Sequence, residues 1–475
     1  MAIIGRVNEI NQLHTFLDSK KSEFVAVYGR RRVGKTFLIR EFFKNSFTFY
    51  ATGLANANTK KQLVSFTIFV NQSFNKEYQS FNNWLEAFEI LIKELKKTKK
   101  KRIIFIDELP WFDTKKSDFI TGLDFFWNSW ASAQKNVKLI VCGSAASWMI
   151  NELIKNKGGL YNRVTARIKL EPFTLQETEL FLKSKQIQLD RYQIIQLYMV
   201  MGGVPYYLDH VQKGLSATQN IQKLCFDANG LLKSEFTFIF SSLFSGGEKH
   251  EIIIKTLYKL GGHAKRDDII EAAKLTSGGD VTIKLNELED SGFITTHTVF
   301  GNRSAKKTYS ISDFYTLFYL KFINHLPKKS NENWQSRIND QAVKVWHGLA
   351  FEQVCIQHQQ QIKEALKIGG IETRASTWQL KGTKKVKGAQ IDLIIDRSDR
   401  VINLCELKFY TNPFTINKAY DLVLRNKVGT FKQHTNTNKS VFLTMITTFG
   451  IVKNEYSQSI IQNHLTMDDL FVTIN

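Results

Sequence analysis

Three clusters of residues have the types and spacing to do chemistry. Residues 29–36 read Gly-Arg-Arg-Arg-Val-Gly-Lys-Thr, a full G-x-x-x-x-G-K-[ST]. An apolar run, 23–28 (EFVAVY), precedes it, and a helical pattern from Phe37 follows. In that setting Gly29, Arg30, Arg31, Arg32, Val33 and Gly34 form a loop whose N–H groups wrap phosphates, helped by the helix dipole. Lys35 would reach the β- and γ-phosphates of ATP, and Thr36 would hold Mg²⁺. A ligand-free Gly-rich turn before a helix is the alternative. The second cluster is Ile103-Ile-Phe-Ile-Asp107-Glu108, a buried strand ending in two carboxylates. Such a strand delivers Asp107 to the ligand-binding end of an open α/β sheet. There Asp107 can act on the Mg²⁺ and its water shell, and Glu108 can polarise the attacking water.

The third cluster lies in residues 388–410, GAQIDLIIDRSDRVINLCELKFY, two alternating strands around a turn near Ser398-Asp399. Ile391, Leu393 and Ile395 are expected on one face, as are Cys405, Leu407 and Phe409. Asp392, Glu406 and Lys408 take the opposite face. With the hairpin centred on residue 399, Asp392 and Glu406 stand opposite each other, their Cβ atoms roughly 5 Å apart. Carboxylates that close repel unless a cation bridges them, and hard Mg²⁺ suits. Lys408 could orient a water or a scissile phosphate. Asp-x(n)-Glu-x-Lys is the signature of PD-(D/E)xK nucleases. Glu352, in the helix before the hairpin, is a further metal-ligand candidate, and that fold commonly supplies such a Glu. A solvated charged face on an ordinary hairpin is the bland alternative.

Two further residues are candidates near the phosphate loop. Ser144, after the apolar run 138–143, could sense the γ-phosphate or simply make a turn. Arg163 could supply transition-state charge from the same or a neighbouring subunit, or form a surface ion pair.

These residues need elements to position them. Residues 1–170 alternate short apolar runs with amphipathic stretches, the pattern of a parallel α/β sheet, with strands expected at 23–28, 103–106 and 138–143. Residues 174–245 read as helical. Helices near 250–260, 265–273 and 279–291, with a hairpin at Gly301-Asn302, predict a winged helix. Its third helix is acidic and its wing basic (Arg303, Lys306, Lys307), so a wing-to-phosphate contact or packing against the rest of the chain is favoured over base reading. The polar stretch 324–340 marks a junction. An amphipathic helix over 341–366 and a strand-rich region follow.

The combination resembles the archaeal-type ATPases, a P-loop group related to AAA+ and STAND ATPases. The matching residues are Gly5-Arg6-x-x-Glu9, the loop 29–36, Ile-Asp107-Glu108, Gly143-Ser144, Leu160-Tyr-x-Arg163, Pro172-Phe173 and Gly202-Gly203-Val204-Pro205. The resemblance covers about residues 1–325. It implies that Gly5 and Arg6 pack near the adenine and that Pro205 lies in a helical lid near the nucleotide. No clear lid arginine occupies the usual AAA+ sensor position. Such ATPases often carry a C-terminal PD-(D/E)xK-like domain, here about 340–475. The expected fold is therefore α/β: a P-loop AAA+-type parallel sheet (1–172), a helical lid (173–248), a winged helix (249–324) and a nuclease-like α/β domain (340–475).

Composition bounds the function. Among 475 residues, 65 Lys and Arg face 44 Asp and Glu, a formal charge of +21. That excess points to a polyanion, DNA first, although a basic chain can simply be soluble. Residues 325–475 carry 20 basic and 13 acidic side chains, so the charge is spread along the chain. The phosphate-loop arginines, the wing and the lysine run 381–387 share it; that run could bind backbone phosphates or be a solvated loop. No apolar stretch reaches 18 residues, so no membrane span is expected. Four scattered cysteines without a C-x-x-C pair argue against a zinc site or disulfide framework and for a reducing cytoplasm. The expectation is an ATP- and Mg²⁺-dependent ATPase coupled to DNA binding or metal-dependent DNA cleavage. The alternative is a STAND-like switch whose C-terminal domain only binds DNA or a partner. Self-association or a partner protein is open in either case.

Overall fold

The computed structural model describes residues 2–155, 158–160, 162–244, 246–297, 300–301, 307–327, 333–382 and 388–474. The chain divides into two compact units. The first comprises residues 1–172, 241–247 and 286–292; the second comprises 173–240, 248–285 and 293–475.

In the first unit, α1 (Val7–Asp18) precedes β1 (Glu23–Tyr28), α2 (Lys35–Phe42), β2 (Phe49–Thr52), α3 (Thr59–Phe74), α4 (Trp84–Leu95), β3 (Arg102–Asp107), α5 (Phe119–Ser129), β4 (Val137–Gly143) and β5 (Ala166–Lys169). The strands form one parallel sheet in the order β2-β3-β4-β1-β5. Alternation along the strands feeds two cores. Phe24, Ala26, Ile104, Ile106, Leu139 and Val141 pack with Phe66, Trp84, Phe88 and Phe126 from α3, α4 and α5. Val25, Val27, Phe105, Ile140 and Cys142 pack with Leu13, Leu38 and Ile39 from α1 and α2. A parallel sheet covered on both faces needs such nearly continuous apolar strands. The three expected strands occupy the middle of this sheet; β2 and β5, too short to stand out as apolar runs, flank them.

The second unit contains α6 (Leu175–Ser184), α7 (Arg191–Met201), α8 (Leu231–Leu243, through Phe240), α9 (Glu248–Lys259), β6 (His263–Lys265), α10 (Arg266–Ala273), the start of α11 (Gly279–Asp290), β7 (Ile294–His297) and β8 (Thr308–Ile311). Strands β6, β8 and β7 make a small antiparallel sheet in that order. Of the expected hairpin, Gly301 and Lys307 are described, whereas Asn302, Arg303 and Lys306 lie outside the described residues.

Then come α12 (Gln341–Gln357), α13 (Gln359–Ala365), β9 (Thr373–Leu380), β10 (Ala389–Arg397), β11 (Val401–Lys408), α14 (Lys418–Thr435), β12 (Ser440–Thr447) and β13 (Asn463–Thr466). The single helix expected over 341–366 is two helices, because the chain turns out of helical geometry at His358 (φ −104°, ψ 31°). The sheet order is β13-β12-β11-β10-β9. Strand β11 is central, antiparallel to β10 and parallel to β12. Ile394, Ile402 and Leu404 pack with Leu424 and Phe431 of α14. One expectation fails here. A β-bulge lies between Ile391 and Ile394, so Ile391 joins the α14 core with Ile394 instead of sharing the face of Leu393 and Ile395. Residues 383–387, which include Lys384, Lys385 and Lys387, lie outside the described residues.

Residues 173–201 pack against the C-terminal part within this unit. The Tyr192 ring stacks on Phe409 at 4.9 Å and on Phe449 at 5.5 Å. The Leu175 N–H donates to His358 Nε2 at 3.0 Å.

Candidate functional sites

The phosphate loop connects β1 to α2 through backbone that favours glycine. Gly29 has φ 145°, and a Cβ there would stand 2.3 Å from the Leu170 carbonyl oxygen. Gly34, at φ 91°, caps α2. Arg32 also takes a positive φ, 73°. Lys35 is buried and donates to the carbonyls of Gly29 at 3.0 Å and Arg30 at 2.9 Å, closing the loop on itself. Burial lowers its pKa, although Cys142, Glu108 and Asp107 pull the other way. The three arginines do not share one exposure. Arg31 is exposed, Arg32 half-buried and Arg30 only 7% exposed, so the loop does not offer all three to a polyanion.

Parallel pairing brings the ends of β3 and β4 beside this loop. The Thr36 hydroxyl donates to Asp107, its Oγ1 lying 3.1 Å from Oδ1 and 2.9 Å from Oδ2. Asp107 also accepts from its neighbour Glu108 N–H at 3.0 Å and from the Cys142 thiol at 2.7 Å. Burial raises the Asp107 pKa, and the nearby Glu108 charge adds to it; the thiol and hydroxyl donors oppose the rise. Glu108 sits at φ 46°. Its Oε1 accepts from Ser144 Oγ at 2.7 Å and its Oε2 from Ser144 N–H at 3.2 Å. Ser144 therefore holds the candidate water-activating carboxylate. A hydroxyl and a carboxylate at contact distance are hard oxygen donors of the kind Mg²⁺ takes.

The Gly5-Arg6 segment also reaches the loop. Arg6 is buried, and its Nη2 donates to the Val33 carbonyl at 3.3 Å. Its Nη1 lies 3.6 Å from Glu9. Arg163 is exposed. Pro205 opens the short helix Pro205–Leu208 in the second unit. Just before it, Gly203 is at φ 66°, where a Cβ would meet the Phe173 carbonyl at 2.1 Å.

The second cluster lies in the C-terminal sheet. Leu393 pairs with Cys405 and Ile394 with Leu404, and the pairing stops there, beside the bulge and one residue short of the expected Asp392–Glu406 pair. Asp392 accepts from Gln390 Nε2 at 2.8 Å. Lys408 Nζ is 3.0 Å from Glu406 Oε1. Two residues absent from the sequence reading complete this group. Tyr420 donates to Glu406 Oε1 at 2.5 Å, and Lys427 Nζ lies 2.6 Å from Oε2. Both come from α14. The signal for them was Lys427 itself, a charge interrupting the apolar helical stripe Tyr420, Leu424, Phe431.

Electrostatics ties Glu352 to the cluster. Burial, together with the Asp392 charge, pushes the Glu352 carboxyl up to about 8. Burial also raises Asp392. For Glu406 burial works upward too, but the charges of Lys408 and Lys427 and the bonds from Lys427 and Tyr420 outweigh it and hold it low. The donor chemistry suits a hard divalent cation; the arrangement does not. Among the described residues no three of His, Cys, Asp and Glu stand together as a metal's ligand set. At Glu406, ammonium groups hold the places a cation would take.

Among the described residues, no helix is long and apolar enough to cross a membrane. An uncharacterized protein of Methanocaldococcus jannaschii is 26% identical over 324 residues, 67% of this chain and 68% of that protein. Among solved structures, the Walker-type ATPase of Pyrococcus abyssi is similar at 17% identity, covering 67% of this chain and 96% of that one, with a TM-score of 0.48. The Aeropyrum pernix ORC2 protein is similar at 13% identity, covering 73% and 93%, with a TM-score of 0.42. Residues 3–211 match the model of an ATPase domain found predominantly in Archaea. The phosphate loop, Asp107, Glu108 and Ser144 all lie within that matched ATPase domain.

Proposed function

We propose that the chain binds and hydrolyses ATP in its first unit and acts on DNA through its second. The observation that carries the ATPase reading is the Thr36 hydroxyl on the Asp107 carboxylate at the mouth of the phosphate loop. Mg²⁺ held by Thr36 and Asp107 would neutralise phosphate charge. Lys35 would exchange its two loop carbonyls for the β- and γ-phosphate oxygens. Glu108 would orient the attacking water, its position set by Ser144. Arg163, exposed, is the candidate for transition-state charge. Gly5 and Arg6 would border the base, and Pro205 would sit in the lid.

In the second unit, the order helix, strand, helix, helix, strand, strand with the sheet β6-β8-β7 supports a winged helix over 249–324. Glu352, Asp392, Glu406 and Lys408 support a nuclease-like domain over 340–475, acting on phosphodiesters with a divalent cation. A second reading has its own support. Glu406 is occupied by Lys408, Lys427 and Tyr420, which favours a switch whose C-terminal domain binds DNA without cutting it.

The test incubates the purified chain with plasmid and Mg²⁺ or Mn²⁺, with and without ATP, beside Lys35→Ala and Asp392→Ala. The expected result is loss of ATP turnover in Lys35→Ala alone and loss of cleavage in Asp392→Ala with turnover intact. ATP turnover that survives Lys35→Ala would overturn the ATPase assignment. Metal-independent cleavage, or cleavage that survives Asp392→Ala, would overturn the nuclease assignment. DNA retained without cleavage selects the switch.

A further inference from the structure

The loops that follow β11 and β12 are laced together into one rim of the second unit. Thr448 N–H donates to the Lys408 carbonyl at 3.2 Å, and Tyr410 N–H to the Thr448 hydroxyl at 2.8 Å. Phe414 N–H donates to the Gly450 carbonyl at 2.8 Å, and Val452 N–H to the Phe414 carbonyl at 2.9 Å. These bonds pre-organise the backbone for a ligand.

Aromatic rings stand on this frame in two rows. In the first, Phe409 packs on Phe351 of α12 at 5.5 Å, Tyr192 of α7 stacks on Phe409, and Phe449 stacks on Tyr192. The last two pairs are tilted by only 15° and 27°. The column begins at the fully buried Phe351 and ends at Phe449, which is 39% exposed and, among the described residues, meets no other ring. In the second row Phe414 lies 5.2 Å from Tyr420 and 5.0 Å from Tyr410, and Tyr410 is 52% exposed. Rings left open in this way are covered well by offset stacking of another flat ring. The local charge says which kind. Residues 409–418 and 448–454 contain Lys418 and Lys453, both exposed, and no Asp or Glu. Asp190, whose charge reaches Tyr192, caps α7 by accepting from Gln193 N–H at 2.8 Å. Open aromatic faces beside ammonium groups suit a polyanion that carries flat rings.

We propose that this rim holds an unpaired strand of nucleic acid: bases stack on Phe449 and Tyr410, and Lys453 meets a backbone phosphate. In a duplex both faces of each base are already covered by its neighbours, so the rings select single strands and frayed ends. DNA and RNA share this chemistry. The inference rests on the second unit acting on DNA, and it names the form of nucleic acid that the rim takes.

The test measures fluorescence anisotropy of labelled oligo-dT and oligo-U, each of about 16 nucleotides, and of a blunt duplex of the same length, with the full chain. Phe449→Ala and Tyr410→Ala should each weaken binding of the single strand by about tenfold and leave the duplex within about twofold. Phe449→Trp, which keeps a stacking face, should bind as tightly as wild type or tighter. Phe449→Leu, which keeps apolar bulk without that face, should behave like Phe449→Ala and replaces it if the alanine variant does not melt cooperatively. Lys453→Ala should lower the slope of log affinity against log salt by about one. Tighter oligo-dT binding identifies DNA as the strand, and tighter oligo-U binding identifies RNA. Single-strand affinity unchanged in both Phe449→Ala and Phe449→Leu overturns the platform. So does an equal loss for single strand and duplex. A wild-type chain that binds neither oligonucleotide also overturns it and leaves the rim to a protein partner.

Duplex and plasmid separate this failure from failure of the wider reading. Duplex binding, or plasmid cleavage that depends on Asp392, without single-strand binding removes only the platform. No binding and no cleavage of any nucleic acid removes both.

Discussion

Glu108 and Ser144 meet because the ends of β3 and β4 lie side by side, and their two hydrogen bonds fix where the carboxylate points. Ser144→Ala should therefore lower ATP turnover by about tenfold while leaving KM within about twofold, since it disturbs orientation more than binding. Steady-state phosphate release against ATP concentration checks this; a KM rise at unchanged kcat would assign Ser144 to nucleotide binding instead. On the proposed role of Glu108 toward the attacking water, Glu108→Gln should cost more, roughly 10² to 10⁴ in kcat. The phosphate loop and the strand-end carboxylates were legible in the sequence, because both are local patterns. The sequence did not display partners. That Cys142 donates to Asp107, and that Lys427 and Tyr420 close on Glu406, depends on elements 14 to 35 residues apart meeting in space.

The elements were legible where their signal was long or apolar. Strands β1, β3 and β4 are buried runs, and α9, α10 and α11 fall where helical spacing put them. The two-strand hairpin of β10 and β11 was visible through its alternation, but the bulge beside Ile391 was not, since an alternating pattern carries no mark of an extra residue. The strand β6 has three residues and no pattern of its own. The loop before α2 yields a prediction at this scale. Gly29→Ala sets a Cβ against the Leu170 carbonyl, backbone against backbone, at a φ that L residues rarely adopt. It should destabilise the first unit by more than about 2 kcal/mol, measured by denaturant unfolding. A loss below about 0.5 kcal/mol would show that β5 can retreat from the loop.

At the scale of the molecule, the second unit contains two histidines that resist protonation, His358 buried and His347 half-buried. Burial pushes both His347 and His358 down to about 4. His358 Nδ1 lies 2.8 Å from the Val354 carbonyl and its Nε2 accepts from Leu175 N–H, so the neutral ring is the one that fits. Their folded pKa values lie below the ordinary 6.5, so between about pH 6.5 and 4 the unfolded chain binds the proton and the folded one does not. The contribution of each ring to stability should fall as pH drops through that window, by up to about 1.4 kcal/mol per pH unit, while the raised carboxyl of Glu352 works in the opposite direction. Thermal unfolding from pH 7.5 to 5 measures it. His358→Gln should flatten the slope, and an unchanged slope would place the acid sensitivity elsewhere. None of this was legible in the sequence, where His358 stood inside one expected helix. Nor was the division of the chain, in which 241–247 and 286–292 belong with residues 1–172. That division has a practical consequence. The ATPase part is not a transplantable cassette: a fragment ended at Pro172 leaves behind two pieces of its own body. Such a fragment should melt below the corresponding transition of the whole chain, and grafting it onto another protein would require carrying those pieces along.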